Sequence, residues 1–408
     1  MSEIDAYNEA LKSGQYEKPG GGHGKYDNVR RFWEDEEIGI YLRPYLERLV
    51  AIRERESRRL RILDLGCGSG DGYELLMNIR GSDRPVAEYG AAILSPDRLE
   101  FYKGVDVNAA LLAQAQAVHG GKERVAFVQA DLNSYELAGE PPYDIYLANY
   151  GTLSHNNDEE TVALLSKIAR HSKNGALILI DWLGRFSYEW QSLWSWDFDR
   201  SQWLDYVISY IHSGDKGSQK KLTHFPLRIM ARSEVLRVYR QARAGSERVL
   251  RLRKLADRSS FVGRHMDTAQ YNAHCQPLRG LVNSLFEPNV ATELDRLLVH
   301  YVPKEGFDEI NAYHQRLAGW WNYLIAFTQV GLEQRVLPAR PEKVPLAVRR
   351  ALATMKSILQ VAVSTKIGNP RASLVEPQLG YCLREIEMGL QRGLGCGHGL
   401  VAIFELVK

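Results

Sequence analysis

The chain has 408 residues, of which 45% are hydrophobic and 25% charged, as in ordinary globular proteins. Its 52 Lys and Arg residues nearly balance 50 Asp and Glu residues, so no overall field attracts nucleic acid or an anionic membrane. No apolar run approaches the ~20 residues of a spanning helix, and the polar residues 1–5 are unlike a signal peptide. We expect a cytoplasmic protein with no membrane partner, built as two or three folding units or as one core with a large insertion.

The cysteine pattern excludes several classes of protein. Cys67, Cys275, Cys382 and Cys396 form no C-x-x-C pair, which argues against a disulfide scaffold, a structural zinc site and an iron–sulfur cluster. Histidine and acidic residues also do not cluster at the spacing of metal ligands. We therefore expect no metal ion.

The first predicted elements along the chain are a helix and a buried strand. Residues 1–25 are polar and end in a glycine-rich stretch that is unsuited to regular structure. Apolar residues recur at three- and four-residue steps over 27–59, which predicts a helix. Residues 61–65 have the pattern of a short buried strand.

Strand and helix patterns then alternate as far as residue 181. The predicted strands are 101–107, 125–129, 144–149 and 176–181, and the predicted helices are 109–118 and 159–171. This alternation is typical of an α/β fold with a parallel sheet that is covered on both faces.

The second half of the chain changes character. An aromatic-rich stretch at 182–210 precedes a predicted helix near 233–241 and a predicted strand near 249–255. Residues 287–395 carry apolar side chains at helical spacing between glycine and proline breaks, and residues 399–406 have a strand pattern. We expect this last strand to return to the edge of the sheet, which makes the helical block an insertion before it.

A glycine-rich turn follows the first predicted strand. Residues 64–70 read Asp-Leu-Gly-Cys-Gly-Ser-Gly, between a strand and the start of a helix. Glycine at such a turn lets the backbone approach a ligand where a side chain would block it. The G-x-G-x-x-G of nicotinamide-dependent dehydrogenases is absent because position 71 is Asp, which argues against that class.

Acidic residues end the next two strands. Asp106 ends the strand after the turn, where a carboxylate can accept hydrogen bonds from two ribose hydroxyls. Asp131 follows the third strand, where it can accept a hydrogen bond from an adenine amino group. Each acid alone is equally well explained as a solvated strand end or a helix cap. With Asp64, however, they mark three successive carboxyl ends, where open α/β sheets bind ligands.

These motifs, with Tyr-Asp-Ile at 143–145 before the fourth strand, resemble class I S-adenosylmethionine-dependent methyltransferases. The resemblance covers 62–181, with 226–264 and the final strand as completing pieces. It implies a Rossmann-like, mostly parallel seven-stranded sheet with an antiparallel last strand, and S-adenosyl-L-methionine as the cofactor. The chain differs from dinucleotide folds in the number of residues between the turn and Asp106. This separation exceeds the usual ~20 residues because a loop is inserted at 81–98.

The resemblance also implies a set of cofactor-binding residues. Asp106 would bind the ribose, Asp131 with Leu132 the adenine, and the glycine turn the methionine portion. Asn149 and Tyr150 would contact the amino acid end. The predicted cofactor-binding residues are Asp64, Gly66, Gly68, Ser69, Gly70, Asp106, Val107, Asn108, Asp131, Leu132 and Asn149.

Methyl transfer is an in-line displacement, for which a protein must align two reactants and exclude water. An oxygen or nitrogen acceptor also needs a base near neutral pH, for which histidine is the usual choice. We predict His155, His265 and Tyr150 as catalytic residues, with His155 preferred because it follows the fourth strand. His23, in the glycine-rich stretch, is a further candidate on a lid. Each histidine is otherwise explained as a polar loop residue.

The aromatic stretch and two arginines are candidates for contact with the substrate. Trp182 and Tyr188 follow the fifth strand closely and can wall an apolar or planar acceptor. Arg185 and Arg264 can pair with a substrate carboxylate or phosphate. Packing between the sheet and the helical block explains the aromatic residues equally well.

We therefore predict a methyltransferase for a small-molecule acceptor. Its parts are an N-terminal lid or helical segment at 1–60, a Rossmann-like core at 61–264 completed by 397–408, and a mostly helical acceptor-side cap at 265–396. A basic stretch at 221–254 leaves an RNA methyltransferase as the alternative, although nucleic acid is not the expected partner. A non-catalytic cofactor-binding protein is a third reading, and a homo-oligomer is left open.

Overall fold

The computed structural model describes residues 3–17, 24–81, 90–208, 223–245, 249–263, 271–333, 336–339 and 343–407. Within these ranges the chain forms ten α-helices and a nine-stranded, mostly parallel sheet. The strands are β1 (Leu60–Leu65), β2 (Leu99–Asp106), β3 (Val125–Gln129), β4 (Ile145–Ala148), β5 (Leu177–Gly184), β6 (Trp203–Val207), β7 (His224–Met230), β8 (Val249–Arg258) and β9 (Gly399–Val407). The helices are α1 (Glu3–Lys12), α2 (Asp35–Arg55), α3 (Asp71–Asn78), α4 (Ala109–His119), α5 (Asp158–His171), α6 (Arg232–Ala244), α7 (Arg279–Ser284), α8 (Asp308–Glu333), α9 (Leu346–Ser364) and α10 (Glu376–Leu390).

The strand order confirms the predicted Rossmann-like sheet. β3, β2, β1, β4 and β5 are neighbours in that order and run parallel. β9 returns antiparallel to β5, from Leu177 opposite Glu405 to Leu183 opposite Gly399, and also pairs with β8. Because β5 and β9 lie between neighbouring strands, their side chains are almost all buried. These seven strands match the predicted sheet with its antiparallel last strand.

A hairpin that the sequence analysis missed extends the carboxyl end of β5. β6 and β7 pair antiparallel, and Ile229 and Met230 of β7 pair with Leu183 and Gly184 of β5. In β6, buried Leu204 lies between exposed neighbours, which is the period-two pattern of a strand with one covered face. The surrounding aromatic residues concealed this pattern in the sequence.

Local sequence sets where the helices around the carboxyl edge begin. The predicted helix at 27–59 is divided, because a π-helical turn at Arg30–Glu34 precedes α2. The side chain of Asn108 caps α4, and Asn157 forms a capping box with Glu160 at the start of α5. These caps satisfy backbone N–H groups that would otherwise lack partners, and they position the loops after β2 and before α5.

The predicted helical block is present as α8, α9 and α10. Trp321, Met355 and Leu379 belong to its hydrophobic cluster, which also takes in Val29 and Trp33 of the N-terminal segment. The block and the N-terminal segment therefore share one core, and the division into three domains remains a prediction. Within the ranges given above, no helix combines the length and the apolar character needed to cross a bilayer.

Buried ion pairs join the N-terminal segment to α7 and to the sheet. Arg279 of α7 is 2% exposed and donates to both carboxylate oxygens of Asp27, each at 2.7 Å, and to Glu34 at 2.9 Å. Arg258 of β8 continues this charge line, 3.8 Å from Glu34 and 3.1 Å from Asp181 of β5. Because these groups lie out of water, each ion depends on its partners for compensation.

Replacing Arg279 with Met should destabilise the fold by about 3–5 kcal/mol, because the carboxylate of Asp27 then lies buried without its cation. Arg296→Met is the matched control, since the pair of Arg296 with Glu293 is largely exposed to solvent. Its removal should change the free energy of unfolding by less than about 1 kcal/mol. Urea denaturation measures both variants, and equal losses would contradict the importance of the buried pairs.

Candidate functional site

A cavity of about 490 Å³ lies at the carboxyl edge of the sheet, where the strand pattern predicts a ligand. The ends of β1, β2 and β4 reach it through Gly66, Asp106 and Asn149. Tyr7 of α1 and Leu227 of the β6–β7 hairpin form further parts of the cavity wall. The cavity is therefore assembled from the sheet edge and from two elements that cover it.

The glycine turn shapes one part of the wall. Gly66 has a φ of +69°, and a Cβ at this position would lie 2.4 Å from Cγ2 of Thr152, so only glycine permits the approach. Gly66 and Gly68, two of the predicted cofactor-binding residues, line the cavity. Ser69 and Gly70 do not line it, because the Ser69 hydroxyl binds α4 and Gly70 begins α3 with a φ of +82°. Both residues build the turn, and their contact with the cofactor stays a prediction.

The carboxylate of Asp106 is oriented at the end of β2. Its two oxygens accept the backbone N–H groups of Gly68 and Asn108, each at 2.8 Å. Burial raises the pKa of Asp106, while these N–H donors lower it. Val107 and Asn108, which are also predicted cofactor-binding residues, line the cavity beside it. A carboxylate held in this way keeps lone pairs that can accept hydrogen bonds from a pair of hydroxyl groups.

The ends of β3 and β4 add an acceptor and a donor. Asp131 and Leu132 line the cavity after β3, and Asp131 accepts the backbone N–H of Asn133 at 2.7 Å. Asn149 lines it after β4 and is only 5% exposed. Its amide nitrogen Nδ2 is buried and has no hydrogen-bond partner among the described residues. Since such a buried N–H costs about 1–3 kcal/mol when it is left unpaired, it is suited to an acceptor on a ligand.

Two buried acids lie next to the glycine turn. The hydroxyl of Tyr102 donates to Asp64 at 2.5 Å, and burial raises the pKa of Asp64 to about 7. Asp71, which the sequence analysis did not single out, also lines the cavity and accepts a hydrogen bond from Tyr26 at 2.9 Å. Lys25 pairs with Asp71 at 2.8 Å and lines the cavity as well. No local pattern marks Asp71 because its partners come from the N-terminal segment.

His155, the preferred catalytic candidate, lines the cavity and is held there by α1. Its Nδ1 lies 2.9 Å from Oε1 of Glu3, and its Nε2 lies 3.3 Å from the hydroxyl of Tyr7. The ring stacks on Phe225 of the hairpin, with centroids 6.0 Å apart. His155 therefore links the loop after β4 to the two elements that cover the cavity.

Tyr150 forms part of the wall in a left-handed backbone conformation, with a φ of +61°. Its hydroxyl donates to Asp35 at 2.9 Å, and the guanidinium of Arg30 lies 3.4 Å from the ring centroid. Burial raises the pKa of Tyr150 well above its ordinary value, so the hydroxyl keeps its proton near neutral pH. The geometry therefore favours a wall residue over the proton acceptor that the sequence analysis considered.

Three predicted substrate residues lie away from the cavity. Trp182 is buried in the core of the sheet. The guanidinium of Arg185 pairs with Glu234 at 2.6 Å in the interior, and the hydroxyl of Tyr188 accepts the N–H of Val302 at 3.0 Å. Their predicted contact with substrate is corrected: these side chains pack the interior, which is the alternative that the sequence left open. The other predicted residues, His23, Arg264 and His265, lie outside the described residues.

The fold neutralises part of the basic stretch at 221–254. Arg228 and Arg237 both pair with Asp158, at 2.9 and 3.0 Å, and Arg228 is almost fully buried. Arg253 pairs with an acid of β9 at 2.5 Å. These arginines are therefore engaged in the structure. In the part of the chain that the structure describes, no three His, Cys, Asp or Glu residues are grouped to hold a metal ion.

The cavity wall also contains residues that carry no functional signal in the sequence. They come from α1, the N-terminal segment, the hairpin and the turn before β9, and they are Glu3, Ile4, Tyr7, Tyr16, Lys25, Tyr206, Ile208, Leu227 and His398. The sequence contained one signal for these wall residues. The period-two pattern of β6 places Tyr206 and Leu204 on a common face of the strand.

Comparisons with known proteins show similarity only at the level of solved structures. No family model matches the chain, and no curated protein matches it by sequence. An S-adenosylmethionine-dependent methyltransferase from Mesorhizobium loti is 15% identical over 48% of this chain and 77% of that chain, with a TM-score of 0.29. One from Clostridium acetobutylicum is 11% identical over 56% and 86%, with a TM-score of 0.33. An amino pentose methyltransferase from Micromonospora echinaspora is 15% identical over 60% and 90%, with a TM-score of 0.31.

At such low identity and TM-score, these similarities carry no functional argument. The residues that the cavity of this chain brings together are therefore the basis for proposing its function.

The raised pKa of Asp64 predicts a dependence of stability on pH. The folded state keeps this proton up to about pH 7, whereas the unfolded carboxyl loses it near pH 4. The folded state therefore binds more protons in this window, so the stability contributed by Asp64 falls as the pH rises from about 4 to about 7. Asp64→Asn should remove this dependence. The free energy of unfolding of the variant should therefore increase relative to that of the wild type as the pH rises.

Urea denaturation between about pH 5 and pH 8 measures this difference. Asp97→Asn is the control, because Asp97 is an exposed carboxylate outside the cavity and its difference from wild type should stay flat. A flat difference for Asp64→Asn as well would contradict the assignment of a buried, protonated carboxyl.

Proposed function

We propose that this chain is an S-adenosylmethionine-dependent methyltransferase that acts on a small-molecule acceptor. The proposal is carried by one observation: a single cavity brings together hydrogen-bond acceptors at two strand ends and, at a third, a buried donor without a partner in the described part of the chain. Asp106 and Asp131 supply the acceptors, and Nδ2 of Asn149 supplies the donor. A ligand that bears ribose hydroxyls, an amino-substituted base and a carboxylate is complementary to these groups.

The residues present fit this cofactor. Asp106 would bind the ribose hydroxyls, and Asp131 with Leu132 would bind the adenine. Asn149 would donate its buried N–H to the carboxylate of the amino acid end, beside the glycine turn. Asp64, and Asp71 with its partner Lys25, also line the cavity beside the glycine turn. When bound, S-adenosylmethionine supplies a methyl group on a positively charged sulfur.

The other end of the cavity supports a small, largely apolar acceptor. Leu183 of β5 and Tyr206, Ile208 and Leu227 of the hairpin region line it and belong to one hydrophobic cluster with Trp190. Apolar walls with a few polar groups are typical of sites for small molecules. α1 covers this side and would exclude water from the reactants, and its Glu3 and Tyr7 contact His155, one of the candidate proton acceptors.

Two alternatives are less well supported by the contacts. An RNA methyltransferase needs free basic side chains, but Arg228, Arg237 and Arg253 are engaged in ion pairs within the fold. A non-catalytic protein would bind the cofactor and transfer no methyl group to any compound of a metabolite extract. Incubation of that extract with methyl-labelled S-adenosylmethionine separates this alternative from an enzyme.

Binding of S-adenosylhomocysteine, measured by calorimetry, is the first test. The wild type should bind it, and Asp106→Ala should weaken binding about 10–150-fold, because hydrogen bonds to a charged group contribute about 1.5–3 kcal/mol. Asp97→Ala should leave the affinity unchanged, since Asp97 is exposed and outside the cavity. NAD should not bind. A preference for NAD, or undiminished binding by Asp106→Ala, would overturn the proposal.

Asn149→Leu tests the donor. We expect affinity for S-adenosylhomocysteine to fall about tenfold or more, while the free energy of unfolding changes by less than about 1 kcal/mol, because the lost N–H has no partner among the described residues. Asn283→Leu is the matched control: the amide of Asn283 is also buried but donates to Asp27 at 2.8 Å. That variant should lose stability and keep its affinity. The reverse outcome would remove Asn149 from the proposed site.

A further inference from the structure

A buried histidine–carboxylate pair lies on the acceptor side of the cavity. His398 directly precedes β9, and its Nδ1 lies 2.6 Å from Oε2 of Glu189. Their exposed fractions are only 2% for His398 and 3% for Glu189. His398 lines the cavity, whereas Glu189 lies behind the wall. The pair therefore presents one histidine to a ligand and keeps its carboxylate away from it.

The fold holds both members of the pair in place. Oε1 of Glu189 lies 1.9 Å from where a Cβ would stand at Gly263, so this carboxylate occupies space that only glycine leaves open. The carboxylate of Asp257 accepts the N–H groups of residues 394–397, which fixes the turn that leads into His398. The backbone of His398 itself pairs with Ser259, at 2.9 Å. Such rigid support is what a site for proton transfer requires.

The surroundings of the pair define its chemistry. Leu183 pairs with Gly399, next to His398, and the ring of Trp190 packs against His398 with centroids 5.6 Å apart. Glu189 faces His398, and the guanidinium of Arg258 lies beside the neighbouring Gly399, where Asp181 compensates it at 3.1 Å. A carboxylate that accepts the Nδ1 proton leaves Nε2 as the nitrogen that accepts a further proton, and it stabilises the imidazolium that results.

We propose that His398, positioned by Glu189, is the proton acceptor for methylation of a hydroxyl group on an apolar, phenol-like acceptor. This inference rests on the proposed methyltransferase function. The acceptor oxygen forms a bond to the methyl carbon while the carbon–sulfur bond breaks and its electron pair stays on sulfur. The hydroxyl proton passes to Nε2 of His398 and later to solvent. A hydroxyl group needs this help because it becomes a good nucleophile only as its proton leaves.

His398 is better placed for this role than His155. The partners of His155 are Glu3 and Tyr7 of α1, and the side chains of His155 and Glu3 are 21% and 40% exposed. Water screens that pair, whereas Glu189 and His398 interact in a nearly dry site where the carboxylate acts more strongly on the imidazole. His155 serves instead to hold α1 over the cavity.

The test compares the variants His398→Gln, Glu189→Gln and His155→Gln with His171→Gln as the control, since His171 lies outside the cavity. 1-Naphthol and catechol are the hydroxyl probes, and 1-naphthylamine is the matched amine. We expect O-methylation of at least one hydroxyl probe, with kcat reduced about 100-fold or more in His398→Gln. The affinity of each variant for S-adenosylhomocysteine should stay within about threefold of wild type.

Glu189 acts through His398, so its variant needs a readout beyond turnover. Histidine ring signals in NMR spectra report the titration of His398, which His398→Gln identifies by the loss of one signal. In Glu189→Gln the midpoint of that titration, and the rising limb of the pH–rate profile, should both move to lower pH, because the carboxylate no longer stabilises the imidazolium. A merely structural role for Glu189 would leave both midpoints where they are.

The outcomes separate the two proposals. If S-adenosylhomocysteine binds but His398→Gln keeps its turnover, or if His155→Gln alone removes the pH-dependent limb, the assignment of His398 is wrong and the methyltransferase proposal stands. Methylation of 1-naphthylamine alone, or of none of the probes by a protein that binds S-adenosylhomocysteine, overturns the hydroxyl acceptor. If the wild type does not bind S-adenosylhomocysteine, both proposals fail together.

Discussion

The rest of the structure depends on one buried line of alternating charges, from Asp27 through Arg279, Glu34 and Arg258 to Asp181. It joins the N-terminal segment, α7, β8 and the end of β5, which are distant in sequence. Ions removed from water in this way hold one arrangement of their elements, because any displacement leaves a buried charge without compensation. The apolar cluster around α8 and α10 packs against the N-terminal segment. The buried ion pairs restrict the position of that segment.

The same line reaches the candidate site. Asp181 accepts the backbone N–H of Gly151, so the end of β5 also places the loop that carries Asn149 and Tyr150. In β8, Arg258 belongs to the line and its neighbour Asp257 holds the turn before His398. Two adjacent residues of one strand therefore connect the helical block to both ends of the cavity.

The cavity has two chemically different ends. Near the glycine turn, carboxylates and a buried amide offer hydrogen bonds to a polar ligand, with Asp106 as the best-oriented acceptor. Toward the hairpin the wall contains the apolar residues Leu183, Ile208 and Leu227, together with His155, its partner Glu3, and His398. This division suits two reactants that meet end to end, one rich in polar groups and one largely apolar, and α1 covers the place where they would meet.

The sequence by itself determined the parallel sheet, the glycine turn and the positions of Asp106 and Asp131, because period, caps and strand ends are local properties of the chain. The antiparallel direction of the last strand was implied by the family resemblance. The partners of His155 and the pairing of His398 with Glu189 were decided only by the tertiary structure. Tertiary structure also placed Trp182 and Tyr188 of the aromatic stretch in the interior. Whether a side chain faces a cavity or a core depends on neighbours from remote segments, and no local pattern encodes those contacts.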